Sequence, residues 1–330
     1  MAVIAASWQR GVPLNQAEAQ GAPRWLICKY PLPMWNKPWT MKEGLTIGAG
    51  LICAGLLLEM SVGGVDWDAF AWPVNIVVLA GFLVLITVIH LLRRKVYAFR
   101  FLSTYQAAIP TMLYAVVLTT IMGLTRQTVN GQWINNMLSF WPFVLIYVYM
   151  AMQVGLVVLK SLRHIKTPGK IVAALFHLGL FVAMTTATLG NADMQRLKMI
   201  TVAGQPEWRA LNEQQLIVEL PLAIELKKFI METYDDGSPR RFASDVQILT
   251  KSGKNLQATV DVNKPASVEG WKIYQYGYDT SMGKQSNASI LELVSDPWLP
   301  FVYTGIYMML AGALLMFITG GRKKRREERE

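Results

Sequence analysis

Six stretches of the chain are long, apolar and almost free of Asp, Glu, Lys and Arg: Leu45–Gly63, Ala69–Leu92, Thr104–Leu124, Trp141–Leu159, Ile171–Leu189 and Trp298–Gly320. A helix needs roughly 20 mainly apolar residues to cross a hydrocarbon core of about 30 Å, because an unpaired backbone group in lipid costs several kcal/mol. The pattern therefore predicts about six transmembrane α-helices. Gln106, Pro110 and several threonines make the third the most diluted of the six. Between the fifth and sixth the texture changes. From Gly190 to Pro297, apolar and polar residues alternate in short runs broken by turn signals. LPLAIELKKF, RRFASDVQIL, LQATVDV, WKIYQYGY and ASILELV are strand candidates, separated by DDGSP, KSGKN and NKPASVEG. The expected fold class is a membrane protein with one β-rich extracytoplasmic domain between its last two helices.

Composition supports this division, with 53% of residues hydrophobic and 16% charged, against roughly 45–50% and about 25% in globular averages. The net charge of +10 raises the question of a nucleic-acid partner, and the placement of the charge argues against one. Arg93, Arg94 and Lys95 follow the second apolar run, Lys160 to Lys170 bracket the fourth connection, and Arg322 to Arg326 follow the last run. Short cytoplasmic loops are enriched in Lys and Arg. The alternate connections, GVDWD and TRQTVNGQWINNMLSF, carry a single arginine. Six spans then place both termini in the cytoplasm and residues 190–297 outside. The expected organisation is a cytoplasmic arm over 1–44, helices one to five over 45–189, the outer domain over 190–297, helix six over 298–320 and a basic tail over 321–330. Trp67, Trp72, Trp133, Trp141 and Trp298 fall near the outer boundaries, where amphipathic aromatics collect.

The two cysteines, Cys28 and Cys53, form no CxxC or CxxCH motif. The chain thus carries no thiol redox pair and no site for attaching haem to itself. The first 44 residues lack the layout of a cleavable signal and read as a mature, irregular arm. No nucleophile and base are arranged for conventional catalysis, and no phosphate-cradling loop is present.

The outer stretch carries a more specific signature. Phe229, Tyr234, Gly237 and Pro239 are followed by Ser244, Asp245 and Val246, then by Val262, Asn263 and Pro265, then by Gly270, Tyr274 and Gln275. In this order and spacing they resemble the ResB (CcsB) family, and FHLGLFVAM from Phe176 to Met184 is similar to the family's His-Leu-Gly span. The amino-terminal WNKPWTMKEGLTIGAG resembles it more weakly. Two departures stand out. Common ResB proteins have four spans, so the third and fourth here look like an inserted pair, and Ala266 stands where leucine is usual.

The resemblance implies System II cytochrome c biogenesis in the bacterial inner membrane. A ResB subunit would handle haem b transiently and non-covalently, acting with a CcsA-type partner to deliver it to apocytochrome c. Such a subunit would not catalyse attachment alone, and its other contacts would be membrane lipid rather than nucleic acid. The chain has three histidines. His177 lies six residues beyond Ile171, about 9 Å along the helix, where an ionisable residue is a functional hypothesis by default. A neutral imidazole bonded to a neighbouring helix is the plainer alternative, and the resemblance favours an axial haem ligand. His90 sits three residues before Arg93, where interfacial placement competes with coordination. His164 falls in a basic loop. Arg93, Arg94 and Lys170 are candidates for haem propionates, although the positive-inside bias accounts for them unaided. The outer domain, without His or Cys, offers Met231, Met282 and a tyrosine stripe at Tyr274, Tyr276 and Tyr278. Two other classes stay open: a membrane-anchored binding or sensor protein, and a permease or assembly subunit unrelated to haem.

Overall fold

The computed structural model describes residues 35–128, 131–162 and 168–327. Cys28, His164 and most of the amino-terminal arm lie outside them. Among the described residues, six helices are long and apolar enough to cross a membrane. They are α1 (Met41–Val62), α2 (Val74–Leu92), α3 (Tyr105–Leu124), α4 (Trp141–Leu162), α5 (Pro168–Gly190) and α6 (Leu299–Glu327). The chain is a multi-pass membrane protein. Helix α1 begins ahead of its apolar run because Thr40 and Glu43 form a capping box, in which Oε2 of Glu43 accepts from the Thr40 N–H at 2.7 Å. Proline at the first position of α5 costs no hydrogen bond, since that N–H has no intrahelical partner.

Small residues let the helices approach closely. Gly44 and Gly48 of α1 leave no room for a Cβ against Pro110 and Tyr114 of α3, and Gly179 of α5 meets the backbone of α6 at Gly305 and Met309 in the same way. Helix α4 is the most buried of the six and packs on α1, α2, α3 and α5. The pair α3 and α4 is therefore integral to the bundle. Gln153 of α4 donates to Thr111 of α3 at 3.1 Å, both side chains buried. In lipid such a bond contributes about 0.6–2 kcal/mol.

The stretch after α5 forms an eight-stranded antiparallel sheet, ordered β5-β4-β3-β2-β1-β8-β7-β6. The strands are β1 (Gln195–Val202), β2 (Pro206–Leu211), β3 (Ile217–Thr233), β4 (Pro239–Thr250), β5 (Asn255–Asp261), β6 (Ala266–Val268), β7 (Trp271–Tyr278) and β8 (Ala288–Ser295). The five expected strands are β3, β4, β5, β7 and β8; β1, β2 and β6 are additional. The sheet curls so that β4 and β5 face β7, enclosing Met199, Ile224, Leu226, Ile248, Ile273, Leu291 and Leu293. Each such burial contributes roughly 1.5–3 kcal/mol.

Two ends of the bundle differ. At one end the sheet emerges directly from α5, and the α1–α2 and α3–α4 connections lie beside each other, with Val65 N–H donating to Ser139 O at 2.7 Å and the Trp67 indole to Leu138 O at 3.1 Å. At the opposite end sit Lys37, Lys42, Arg93 to Lys95, Arg100, Lys160 and Lys170. There the Trp39 N–H donates to the Tyr97 hydroxyl at 3.0 Å, and Trp39 packs edge-on against Tyr97 and Phe101.

Candidate functional site

His177 lies two and a half turns into α5 from the basic end. Residues Phe176, Gly179 and Ala183 of α5 pack against α6, and Phe181 packs against Phe82 of α2 and Gly155 of α4. At 100° per residue, His177 falls on the flank between these two faces. It is half-buried. Its Nδ1 is 2.6 Å from the carbonyl oxygen of Ala173, one turn back, and its ring meets Phe176 edge-on at 5.5 Å. A carbonyl can only accept, so Nδ1 must carry the proton. In a neutral imidazole this arrangement puts the lone pair on Nε2, the tautomer suited to a metal.

Lys170 is seven residues earlier and falls within 20° of His177 on the helix, about 10.5 Å nearer the basic end. It is exposed. His90 and Arg93 share the last turn of α2 and its C-terminal cap; both are half-buried, and Nδ1 of His90 is enclosed. Arg94 is exposed. The structure thus places all five candidates toward one end of the bundle without joining them into one pocket. Among the described residues no three His, Cys, Asp or Glu side chains cluster as a metal site.

The motif residues of the sheet serve a different end. Ser244 on β4 donates to Oε1 of Gln275 on β7 at 2.7 Å and lies 2.8 Å from the Ser289 hydroxyl on β8, all three buried. Nε2 of Gln275 donates to Gly277 O at 2.7 Å, and Thr201 of β1 donates to Ser289 O at 3.1 Å. This network ties the two curled halves of the sheet together. Asp245 faces outward and accepts from Thr259 at 2.6 Å, while Val246 is buried. Phe229 stacks on Tyr278 with centroids 5.1 Å apart. Tyr234 and Gly237 (φ 82°) form the β3–β4 turn that leads into Pro239. Val262, Asn263 and Pro265 form the turn before β6, closed by Asp261 N–H to Lys264 O, and Gly270 (φ 86°) is, with Glu269, one of the two left-handed residues of the β6–β7 hairpin. Tyr274 is half-buried opposite Glu292.

The tyrosine stripe does not form. A bulge between Gln275 and Gly277 shifts the register, so Tyr278 pairs with Ser289 and packs on Phe229 and Phe242, while Tyr276 stays exposed and accepts from Lys198 at 2.9 Å. One extra residue in a strand reverses which face the following side chains occupy. Ser289 is the partner in this network that motif reading missed, since an isolated serine in a strand carries no signal of its own.

The sequence model of the ResB-like family matches residues 169–292. Proteins named cytochrome c biogenesis protein CcsB are similar over much the same stretch. That of Prochlorococcus marinus (strain NATL2A) is 29% identical over 107 residues, covering 32% of this chain and 24% of that protein. That of Prochlorococcus marinus subsp. pastoris (strain CCMP1986) is 29% identical over 115 residues, covering 34% and 26%. That of Gloeobacter violaceus is 26% identical over 113 residues, covering 33% and 24%. The matched stretch is thus about a quarter of the length of these relatives. A solved structure of cytochrome c heme lyase CcmF superposes at a TM-score of 0.35 with 14% identity, over 84% of this chain and 46% of that one. Over residues 169–292, from the fifth span to the last strand, this chain is similar to the ResB-like family and to proteins named CcsB.

Proposed function

We propose that this protein is a haem-handling subunit of cytochrome c biogenesis, with His177 as one axial ligand to haem within the membrane. The observation that carries the reading is the bond from Nδ1 of His177 to Ala173 O, which leaves Nε2 as the ligating nitrogen. The residues fit one ligand from this chain. His90 is on another helix in its last turn, and the sheet holds no histidine. A second axial ligand and the outward-facing histidines needed for attachment then come from a CcsA-type partner of the System II kind. Lys170 shares the face of His177 and would pair with a propionate, with Arg93 and Arg94 at the same end of the bundle. Haem supplies the vinyl groups for the thiols of an apocytochrome; this chain's part is to hold and orient it.

The charge asymmetry supports an inner-membrane orientation with the basic end and both termini in the cytoplasm and the sheet outside. The test is the haem content of the purified native complex, read from Soret absorbance together with cytochrome c yield. His177→Ala lowers both, and added imidazole restores part of the loss. Full haem and full maturation in His177→Ala would overturn the ligand assignment.

A further inference from the structure

At the sheet-bearing end, the last turn of α1 and the α3–α4 connection enclose a cleft of about 330 Å³ lined by Glu59, Gly64, Gln132, Trp133 and Ser139 among others. Glu59 is 8% exposed although it lies within a spanning helix. Its Oε2 accepts the Trp141 N–H at 3.1 Å, at the start of α4. Its other oxygen, Oε1, lies beside Gly64, on the cleft wall. Among the described residues nothing donates to Oε1, and Glu59 forms no ion pair. Arg126 is the one basic residue in the two connections at this end, and it is exposed. Asp66 and Asp68, also exposed, add negative charge to the same end.

A buried carboxylate in a membrane is costly unless a cation meets it. One backbone donor and the N-terminal dipole of α4 offset only part of that cost. Trp133, 45% exposed, also lines the cleft, and an indole attracts cations through its ring quadrupole. The volume lies at the low end of the roughly 300–1,000 Å³ of small-ligand sites. Trp67, Trp133 and Trp141 gather at this level, where amphipathic rings sit among lipid headgroups. We propose that the Glu59 cleft binds an ammonium group, carried by a phospholipid headgroup of the ethanolamine type, with Glu59 as its counter-ion and Trp133 as its aromatic wall.

The full chain, purified with its lipids, tests this by native mass spectrometry against added phosphatidylethanolamine or phosphatidylglycerol, and by thermal shift with soluble ethanolamine. Phosphatidylethanolamine is expected to be retained in preference. Glu59→Gln keeps an acceptor for the Trp141 N–H but removes the charge, and lowers that affinity about tenfold, equivalent to about 1.4 kcal/mol, at an unchanged melting temperature. Should it lower the melting temperature, Trp133→Leu, which leaves the α4 cap intact, takes its place and must weaken the same lipid. Equal retention of the two lipids, or unaltered retention in both variants, would reduce Glu59 to a helix cap and overturn the proposal. Soluble ethanolamine stabilising the chain as well as the lipid would move the source to a free amine and overturn the lipid assignment.

Discussion

The carboxylate of Asp193 accepts the indole N–H of Trp298 at 2.6 Å, joining the end of α5 to the start of α6 across a sequence separation of 105. The same carboxylate accepts the Trp72 backbone N–H and the Asn75 amide, each at 2.7 Å, so the start of α2 is held at the same point. The sheet begins at Gln195 and ends at Ser295, and β1 and β8 pair along their full length. One carboxylate thus closes the base of the sheet onto three helices, fixing where the sheet stands on the bundle.

Asp193→Ala removes three donors' partner at once. Hydrogen bonds to charged groups contribute about 1.5–3 kcal/mol each, and bonds sharing one acceptor are not additive. A net loss of about 2–4 kcal/mol is expected, read as a lower melting temperature in detergent. Asp193→Asn should fall between the variant and the native chain, and an unchanged melting temperature in Asp193→Ala would remove the residue from this role.

Much of this architecture is legible in the chain because lipid imposes a coarse rule: about 20 apolar residues per helix. Strands β3, β4, β5, β7 and β8 are legible because one side of each faces a core. β6 is three residues long and lies inside a turn-like string, and β2 buries only Ala210 deeply, so neither leaves an alternating trace. The depth of His177 is readable from spacing, but its proton position depends on a rotamer that reaches Ala173 O. Asp193 and Glu59 escape sequence reasoning for a common reason. Their partners, Trp298 and Trp141, lie 105 and 82 residues away. The fate of Tyr278 turns on a single-residue bulge that no period-2 pattern announces.

The buried trio Ser244, Gln275 and Ser289 gives a prediction for the sheet. Ser244→Ala strips a donor from Gln275 Oε1, which keeps only the Ser289 hydroxyl at 3.2 Å. A partly unsatisfied buried amide costs about 1–3 kcal/mol. Gln275→Leu should cost at least as much, because it leaves two hydroxyls without their shared partner. Urea denaturation followed by tryptophan fluorescence measures both, and Tyr234→Phe, at an exposed turn position, serves as the neutral comparison.

Orientation is tested by labelling single cysteines in a background where Cys28 and Cys53 are serine. Ser252 is exposed in the β4–β5 turn, and Ser161 is near the basic end of α4. A membrane-impermeant maleimide added to intact cells should label Ser252→Cys and spare Ser161→Cys until the membrane is opened. Labelling of Ser161→Cys in intact cells would reverse the proposed sidedness.

The sheet should also lose stability in acid. Glu269 is held below the usual carboxylate range by the Ser252 hydroxyl first, then by Lys254 and Thr250; Glu207 by Arg209; Asp236 by Ser238 and Asp279 by Ser281. A carboxylate whose folded pKa lies below its unfolded value, roughly 3.9–4.3, binds its proton more readily in the unfolded chain. Its contribution is therefore complete above the unfolded pKa and disappears as pH falls through the folded one. The melting temperature of the sheet is expected to be flat from pH 7 to roughly pH 5 and to drop below that. Glu269 also occupies a left-handed turn position (φ 46°), so Glu269→Gln is the apt comparison: it leaves the backbone as it is and removes only the titration. The variant should melt lower than the native sheet at pH 7, with the difference narrowing toward pH 4. A constant difference across that range would mean that the Glu269 side chain acts through packing and that its charge contributes nothing.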